Sequence, residues 1–320
     1  MPSDRYDNPE EDGSENRACT VLMTGSSGLI GSALIPSLEE NGYRVLRAVR
    51  RDPIDEREIR WRPLDPPDQI PEQELQAFEQ VDAVIHLAGK NIAEGRWSPT
   101  SKMEFRSSRV DSTRNLVALF QKLTSPPKIF IGASAIGGYR SDSDEVVTED
   151  SPFTSGFLAE LCSDWEASTN PLGNLQTRVV LLRIGLVLSD DGGALKKLVP
   201  LFRWCLGSRL GTGRQWMSWI DLDDLIEIIL LALRDPELEG VLNCTAPGCV
   251  RNRDFTSILA AFLRRPVAPP VPGFLIKLLL GEMGQTLLLQ GARVSPKRLL
   301  ERNYRFLSPD LPAALRRQLR

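Results

Sequence analysis

The sequence predicts an α/β protein, a doubly wound parallel-sheet Rossmann fold with a smaller C-terminal lobe, and three observations predict it. From Cys19 onward, short apolar runs alternate with longer helical stretches, as βαβ units require. Each run is nearly continuous in Val, Ile, Leu and Ala, the composition of strands covered on both faces. The first run passes directly into a glycine-rich turn at the head of a helix, Thr24-Gly25-Ser26-Ser27-Gly28-Leu29-Ile30-Gly31.

Residues 1–18 carry Asp4, Asp7, Glu10, Glu11, Asp12 and Glu15 against Arg5 and Arg17, with almost nothing apolar. Such a segment cannot offset its ordering entropy by burial and reads as a disordered acidic tail. Strands are expected at Thr20–Thr24, Arg44–Val49, Ala83–Leu87, Lys128–Ala133 and Arg178–Ile184. Helices are expected at Leu29–Glu40, Ser101–Leu123 and Gly156–Ser168. Residues 19–185 thus form a nucleotide-binding domain, its sheet elements continuing to about 245. Residues 186–320 supply mainly a substrate lobe. Within it, Pro266–Pro272 reads as a stiff connector, and Phe255–Phe262 and Leu311–Leu319 as helices. The apolar run Phe274–Leu289 contains Lys277 and Glu282 and is shorter than the roughly 20 residues a membrane span needs. It reads as a buried or amphipathic helix.

The totals narrow the function. A chain of 320 residues, 42% hydrophobic and 25% charged, can bury a core without a staple. A net charge of -3, with no long Lys/Arg block, argues against nucleic acid as a partner. The five cysteines show no CxxC spacing and the single histidine is His86, so no metal site is expected. Dispersed cysteines, and a start without a basic-then-apolar leader, point to the cytoplasm.

The glycine turn carries the chemistry. Gly25, Gly28 and Gly31 are spaced so that the chain turns tightly and its backbone can approach a diphosphate. The free N–H groups of Leu29, Ile30 and Gly31, with the helix dipole, attract that anion, while Ser26 or Ser27 can add a hydroxyl donor to a phosphate on the adenosine ribose. About 20 residues on, where an acid would grip the ribose of NAD, stand Arg50 and Arg51. Their planar guanidiniums suit an extra 2′-phosphate, so the expected cofactor is NADP(H). The competing reading makes both arginines solvated loop charges and gives an NAD ribose to Asp52.

Further residues resemble a family. The run Val81-Asp82-Ala83-Val84-Ile85-His86-Leu87-Ala88-Gly89 is similar to the fourth-strand motif of extended short-chain dehydrogenases. Gly89-Lys90-Asn91-Ile92, Arg96-Trp97, Ser108–Thr113, Leu182–Leu188, Trp219–Leu225, Gly281-Glu282-Met283 and Gly291–Leu299 resemble the atypical "epimerase family" subfamily, which includes the bacterial SulA-like and human short-chain dehydrogenase 39U members. The resemblance implies a small terminal domain at about residues 266–315. It also implies that Leu87, Ala88 and Gly89 line the cofactor and that Glu104 and Arg109 reach toward it. Read without the family, Glu104 and Arg109 are ordinary helix charges, and Arg183 and Asp224 serve as readily in an ion pair or helix-end contact as against substrate.

The usual catalytic pair of that superfamily is missing. Four places after Tyr6, Tyr43, Tyr139 and Tyr304 stand Glu10, Arg47, Ser143 and Ser308, so there is no YxxxK. The corresponding region reads Phe157-Leu158-Ala159-Glu160-Leu161-Cys162, which cannot exchange a proton in the usual way. Ser134 and Tyr139 are the remaining candidates, Tyr139 being equally readable as a loop aromatic. His86 reads as a strand-end residue and Cys162 as core. Two function classes stay open. One is an NADP(H)-dependent oxidoreductase or epimerase on a small carbonyl, hydroxyl or sugar-nucleotide substrate. The other is a non-catalytic NADP(H)-binding regulatory protein, a class the family resemblance links to cell or plastid division. A homodimer or a regulatory protein is the expected partner class.

Overall fold

The computed structural model describes residues 18–139 and 143–319; the expected acidic tail lies, but for its last residue, outside them. Seven parallel strands form the central sheet: β1 (Thr20–Thr24), β2 (Arg44–Val49), β3 (Glu58–Arg60), β4 (Ala83–His86), β5 (Ile129–Ala135), β6 (Arg178–Ile184) and β7 (Gly240–Cys244). Their spatial order is β7-β6-β5-β4-β1-β2-β3, so the direction of winding reverses beside β1. β1 is buried along its whole length, as a central strand covered by helices on both faces must be.

The main helices are α1 (Leu29–Glu40), α2 (Pro99–Arg106), α3 (Ser112–Phe120), α4 (Phe157–Ala167), α5 (Gly193–Arg203), α6 (Leu222–Arg234), α7 (Asn252–Phe262), α8 (Gly273–Leu288) and α9 (Leu311–Gln318). On one face of the sheet, Leu34 and Leu38 of α1 and Leu225, Ile228 and Ile229 of α6 pack with Val21, Met23 and Ile85. On the other, Leu116, Leu119 and Phe120 of α3 pack with Leu22, Val84 and Phe130. Alternate strand residues therefore feed opposite cores, the period of two that a pleated strand imposes.

Six points depart from the sequence expectations. The helix expected over Ser101–Leu123 is broken by a π turn at Ser107–Asp111, where the hydroxyls of Ser112 and Thr113 both bond the Arg109 carbonyl and compete with the regular ladder. The strand expected to reach Leu87 ends at His86, and the one expected over Lys128–Ala133 is shifted to Ile129–Ala135. β3 was not anticipated, being only three residues long with two of them charged. The proline-rich connector contains a strand, Ala268–Val271, which lies at a sheet edge beside Ser208–Leu210; proline is tolerated there because one side of an edge strand needs no N–H donor. In α8 the backbone kinks at Gly281 (φ 60°), and Phe274, Leu278 and Leu279 face solvent, so the apolar run is buried on one side only. Among the described residues no helix is long and apolar enough to cross a membrane.

The C-terminal residues are fastened to the lobe by buried carboxylates. Asp224 accepts the backbone N–H groups of Leu307 (2.7 Å) and Ser308 (2.9 Å), while Asp221 accepts the Ser308 hydroxyl (2.6 Å) and the Gln318 amide (2.8 Å). Asp224 thus serves as a structural clamp.

Candidate functional site

The glycine turn lies at the carboxyl edge of β1, where the winding reverses and where open α/β sheets present their crevice. Gly25 has φ 71°, and a Cβ there would sit 2.8 Å from both Ala88 N and the Leu87 carbonyl carbon. At Gly31 a Cβ would meet the Gly25 carbonyl oxygen at 2.3 Å. The first helical back-bond runs from Ser32 N to Gly28 O (2.9 Å), leaving Leu29, Ile30 and Gly31 without intrahelical acceptors. Among the described residues no side chain caps this end of α1, and its first turn holds no acid, so its amides face the crevice unneutralised. Leu87, Ala88 and Gly89 form the opposite wall. Gly192, which sequence reasoning passed over, comes so near Leu29 that a Cβ would lie 2.8 Å from its Cδ1; the Gly192-Gly193 pair was the available signal.

Beneath that wall lies a hydrogen-bonded chain that sequence reasoning also missed. Thr113 Oγ1 gives its proton to the Arg109 carbonyl (2.6 Å), so it must accept from Trp165 Nε1 (3.1 Å) and from His86 Nε2 (3.0 Å). With the His86 proton on Nε2, Nδ1 accepts from Thr24 Oγ1 (2.7 Å), which accepts in turn from Ala88 N (3.2 Å). Burial pushes the His86 pKa down to about 4, keeping the ring neutral. His86 is a structural tie between β1, the Leu87–Ala88 wall and the π turn.

That turn carries Arg109. Its guanidinium lies over the Trp165 ring (5.2 Å to the centroid) and so close to Gly89 that a Cβ there would stand 3.2 Å from Cζ. Its side-chain hydrogen bonds, to Phe105 O (3.4 Å) and Ser108 Oγ (3.5 Å), are long, and it forms no salt bridge among the described residues. Burial lowers its pKa from the usual arginine range. Glu104 instead pairs with Lys90 on the exposed side of α2.

Arg50 and Arg51 follow β2, next to the turn that follows β1, since the two strands are adjacent and parallel. Arg50 is exposed. Arg51 is gripped by Glu58 through two bonds of 2.6 and 2.7 Å, and Asp52, the competing ribose ligand, pairs with Arg60 (2.7 Å).

Ser134 and Tyr139 meet in one cluster beyond β5. Ser134 Oγ donates to Glu166 Oε1 (2.6 Å), and Arg183 holds the same carboxylate through Nε (2.8 Å) and a terminal nitrogen (2.7 Å). The other terminal nitrogen of Arg183 donates to the Tyr139 hydroxyl (2.7 Å), which donates to Asn243 Oδ1 (2.7 Å). Burial pushes the Tyr139 pKa up, so a phenol so enclosed is poorly placed to exchange a proton. Glu166 and Arg183 also line an open depression with Phe153 and Ala159. On α4, Leu158 packs toward Gly137, and burial pushes the Cys162 thiol up to about 12.

Comparison with known proteins fits this geometry. Residues 271–318 match a domain of unknown function (DUF1731). The chain is 40% identical over 300 residues to the epimerase family protein ML0860 of Mycobacterium leprae, covering 94% of this chain and 95% of that protein. It is 37% identical over 302 residues to the chloroplastic epimerase family protein SDR39U1 homolog of Arabidopsis thaliana, covering 93% and 86%. The structure is similar to that of human epimerase family protein SDR39U1 with NADPH, at a TM-score of 0.84 and 32% identity over 93% of this chain and 98% of that one. With residues 21–244 matching the model of the NAD dependent epimerase/dehydratase family, this chain belongs to that family.

Proposed function

We propose that the protein binds NADP(H) in the crevice between the Gly25–Gly31 turn and the Leu87–Gly89 wall and works as an oxidoreductase or epimerase on a small carbonyl, hydroxyl or sugar-nucleotide substrate. The observation that carries the cofactor reading is the cradle: two glycines at which a Cβ would strike backbone, heading a helix whose first amides are unpaired and uncapped. The human relative of the same fold was determined with NADPH, which supports the same choice. NADP(H) would supply hydride transfer. The residues of this chain would do the remainder: Gly25 to Gly31 hold the pyrophosphate, Ser26, Ser27, Arg50 and Arg51 hold the 2′-phosphate, and Arg109, partly buried and without a carboxylate partner among the described residues, takes a further anionic group. Ser134, oriented by Glu166, is the hydroxyl placed to orient a substrate oxygen.

A second reading is favoured by a specific observation. The hydroxyls of Ser134 and Tyr139 are both committed to partners within the protein, and no YxxxK pair replaces them. In that reading the bound cofactor stabilises a conformation read by a second copy or a regulatory partner, without turnover. Titration with NADPH, followed by NADPH oxidation against a panel of carbonyl substrates, separates the two. Binding without oxidation of any substrate supports the regulatory reading, and absence of binding removes both.

A further inference from the structure

The three-residue strand β3 places two opposite charges on one face, at Glu58 and Arg60, because side chains two apart on a strand point the same way. Each takes one member of the loop that follows β2. The Glu58 side chain is 1% exposed; its carboxylate accepts both terminal nitrogens of Arg51 and the Ile54 N–H (3.0 Å), and Arg47 approaches at 3.2 Å. Arg60 pairs with Asp52. A carboxylate so enclosed is a poor ligand for water or solutes but a rigid anchor for the guanidinium it faces.

We infer that β3 sorts the cofactor: Glu58 fixes Arg51 where its remaining donors face an adenosine 2′-phosphate, and Arg60 neutralises Asp52, which would otherwise repel that phosphate and accept from a ribose hydroxyl. Arg51 spends one terminal nitrogen on Asp52 O (2.9 Å) and Glu58 and the other on Glu58. Of its five N–H protons, Nε–H and one terminal N–H stay available. Arg50, exposed beside it, supplies a second cation. Glu58 and Arg60 are positioning residues that touch no cofactor atom themselves, and the chemistry they select is a phosphomonoester on the adenosine ribose.

This rests on the NADP(H) reading above, and fluorescence titrations of NADPH and NADH distinguish the two. The wild-type chain is expected to bind NADPH about ten-fold or more tightly than NADH. Glu58→Gln, which cannot hold both terminal nitrogens of Arg51 in a charge-assisted fork, is expected to lose about ten-fold in NADPH affinity while NADH affinity stays nearly constant. Arg60→Gln, a change at a partly exposed side chain that leaves the Glu58 cluster intact, is expected to narrow the NADPH/NADH ratio by freeing Asp52. An unchanged ratio in both variants, or an equal loss of both nucleotides in Glu58→Gln with no change in Arg60→Gln, overturns the sorting role. Equal affinities of the wild type for NADPH and NADH overturn the cofactor assignment itself.

Discussion

The Thr24 hydroxyl lies 2.7 Å from His86 Nδ1, joining the last residues of two adjacent parallel strands directly beneath the glycine turn. With Nδ1 accepting from Thr24, the proton of the buried, neutral imidazole sits on Nε2 and is donated to Thr113.

Stability against pH follows from that ring. The folded-state pKa of His86 is about 4 against 6.5 when free, so the unfolded chain binds the proton first. Stability is unaffected by this group above about pH 6.5, declines as pH falls toward about 4, and levels off below; the full effect is on the order of 3 kcal/mol. Thermal melts across this range should show the slope in the wild type, and His86→Phe should flatten it while lowering Tm at neutral pH. A wild-type slope retained in His86→Phe would assign the titration elsewhere.

Backbone clearance in the cradle gives a second prediction. Gly31→Ala would put a methyl 2.3 Å from the Gly25 carbonyl oxygen, and Gly25→Ala would combine a 2.8 Å clash with a positive φ. Both should weaken NADPH binding by ten-fold or more, on the order of 1–3 kcal/mol of backbone strain and displacement. Calorimetric titration of each variant is the measurement, with circular dichroism as the control for folding.

Removing Glu166 strands a charge. Arg183 and Glu166 have side chains only 9% and 12% exposed, so Glu166→Leu leaves a guanidinium largely desolvated and unpaired and should destabilise by about 3–5 kcal/mol. Urea denaturation measures this, and a loss below about 1 kcal/mol would mean that water replaces the carboxylate freely.

Tyr139 and Ser134 separate structure from turnover. Tyr139→Phe leaves Arg183 and Asn243 each short of one partner and should cost about 1–3 kcal/mol in stability. Ser134→Ala should act mainly on kcat with any substrate the protein reduces, because the Glu166–Arg183 pair persists without it. Turnover unchanged by Tyr139→Phe eliminates Tyr139 as an acid or base, and turnover unchanged by Ser134→Ala eliminates Ser134 as the orienting hydroxyl.

The sequence alone determined the α/β class of the fold and the location of the glycine turn. Both depend on local pattern: β1, β2 and β6 run over the residues that their apolar composition marks, and Gly25, Gly28 and Gly31 announce a turn that at Gly25 and Gly31 has no room for a side chain. Tertiary structure decided which polar groups meet. Glu58 and Arg60 gave no local signal, because a three-residue strand with two charges has no apolar period to read, and their pairing with Arg51 and Asp52 exists only once β3 docks beside β2. In the same way Ser134 and Glu166 are 32 residues apart and Tyr139 and Asn243 104 apart, and strand order, not spacing, brings each pair within hydrogen-bonding distance. Periodicity and backbone sterics act within a few residues and are written in the chain, whereas hydrogen bonds between distant side chains depend on strand order and register, which only the assembled sheet fixes.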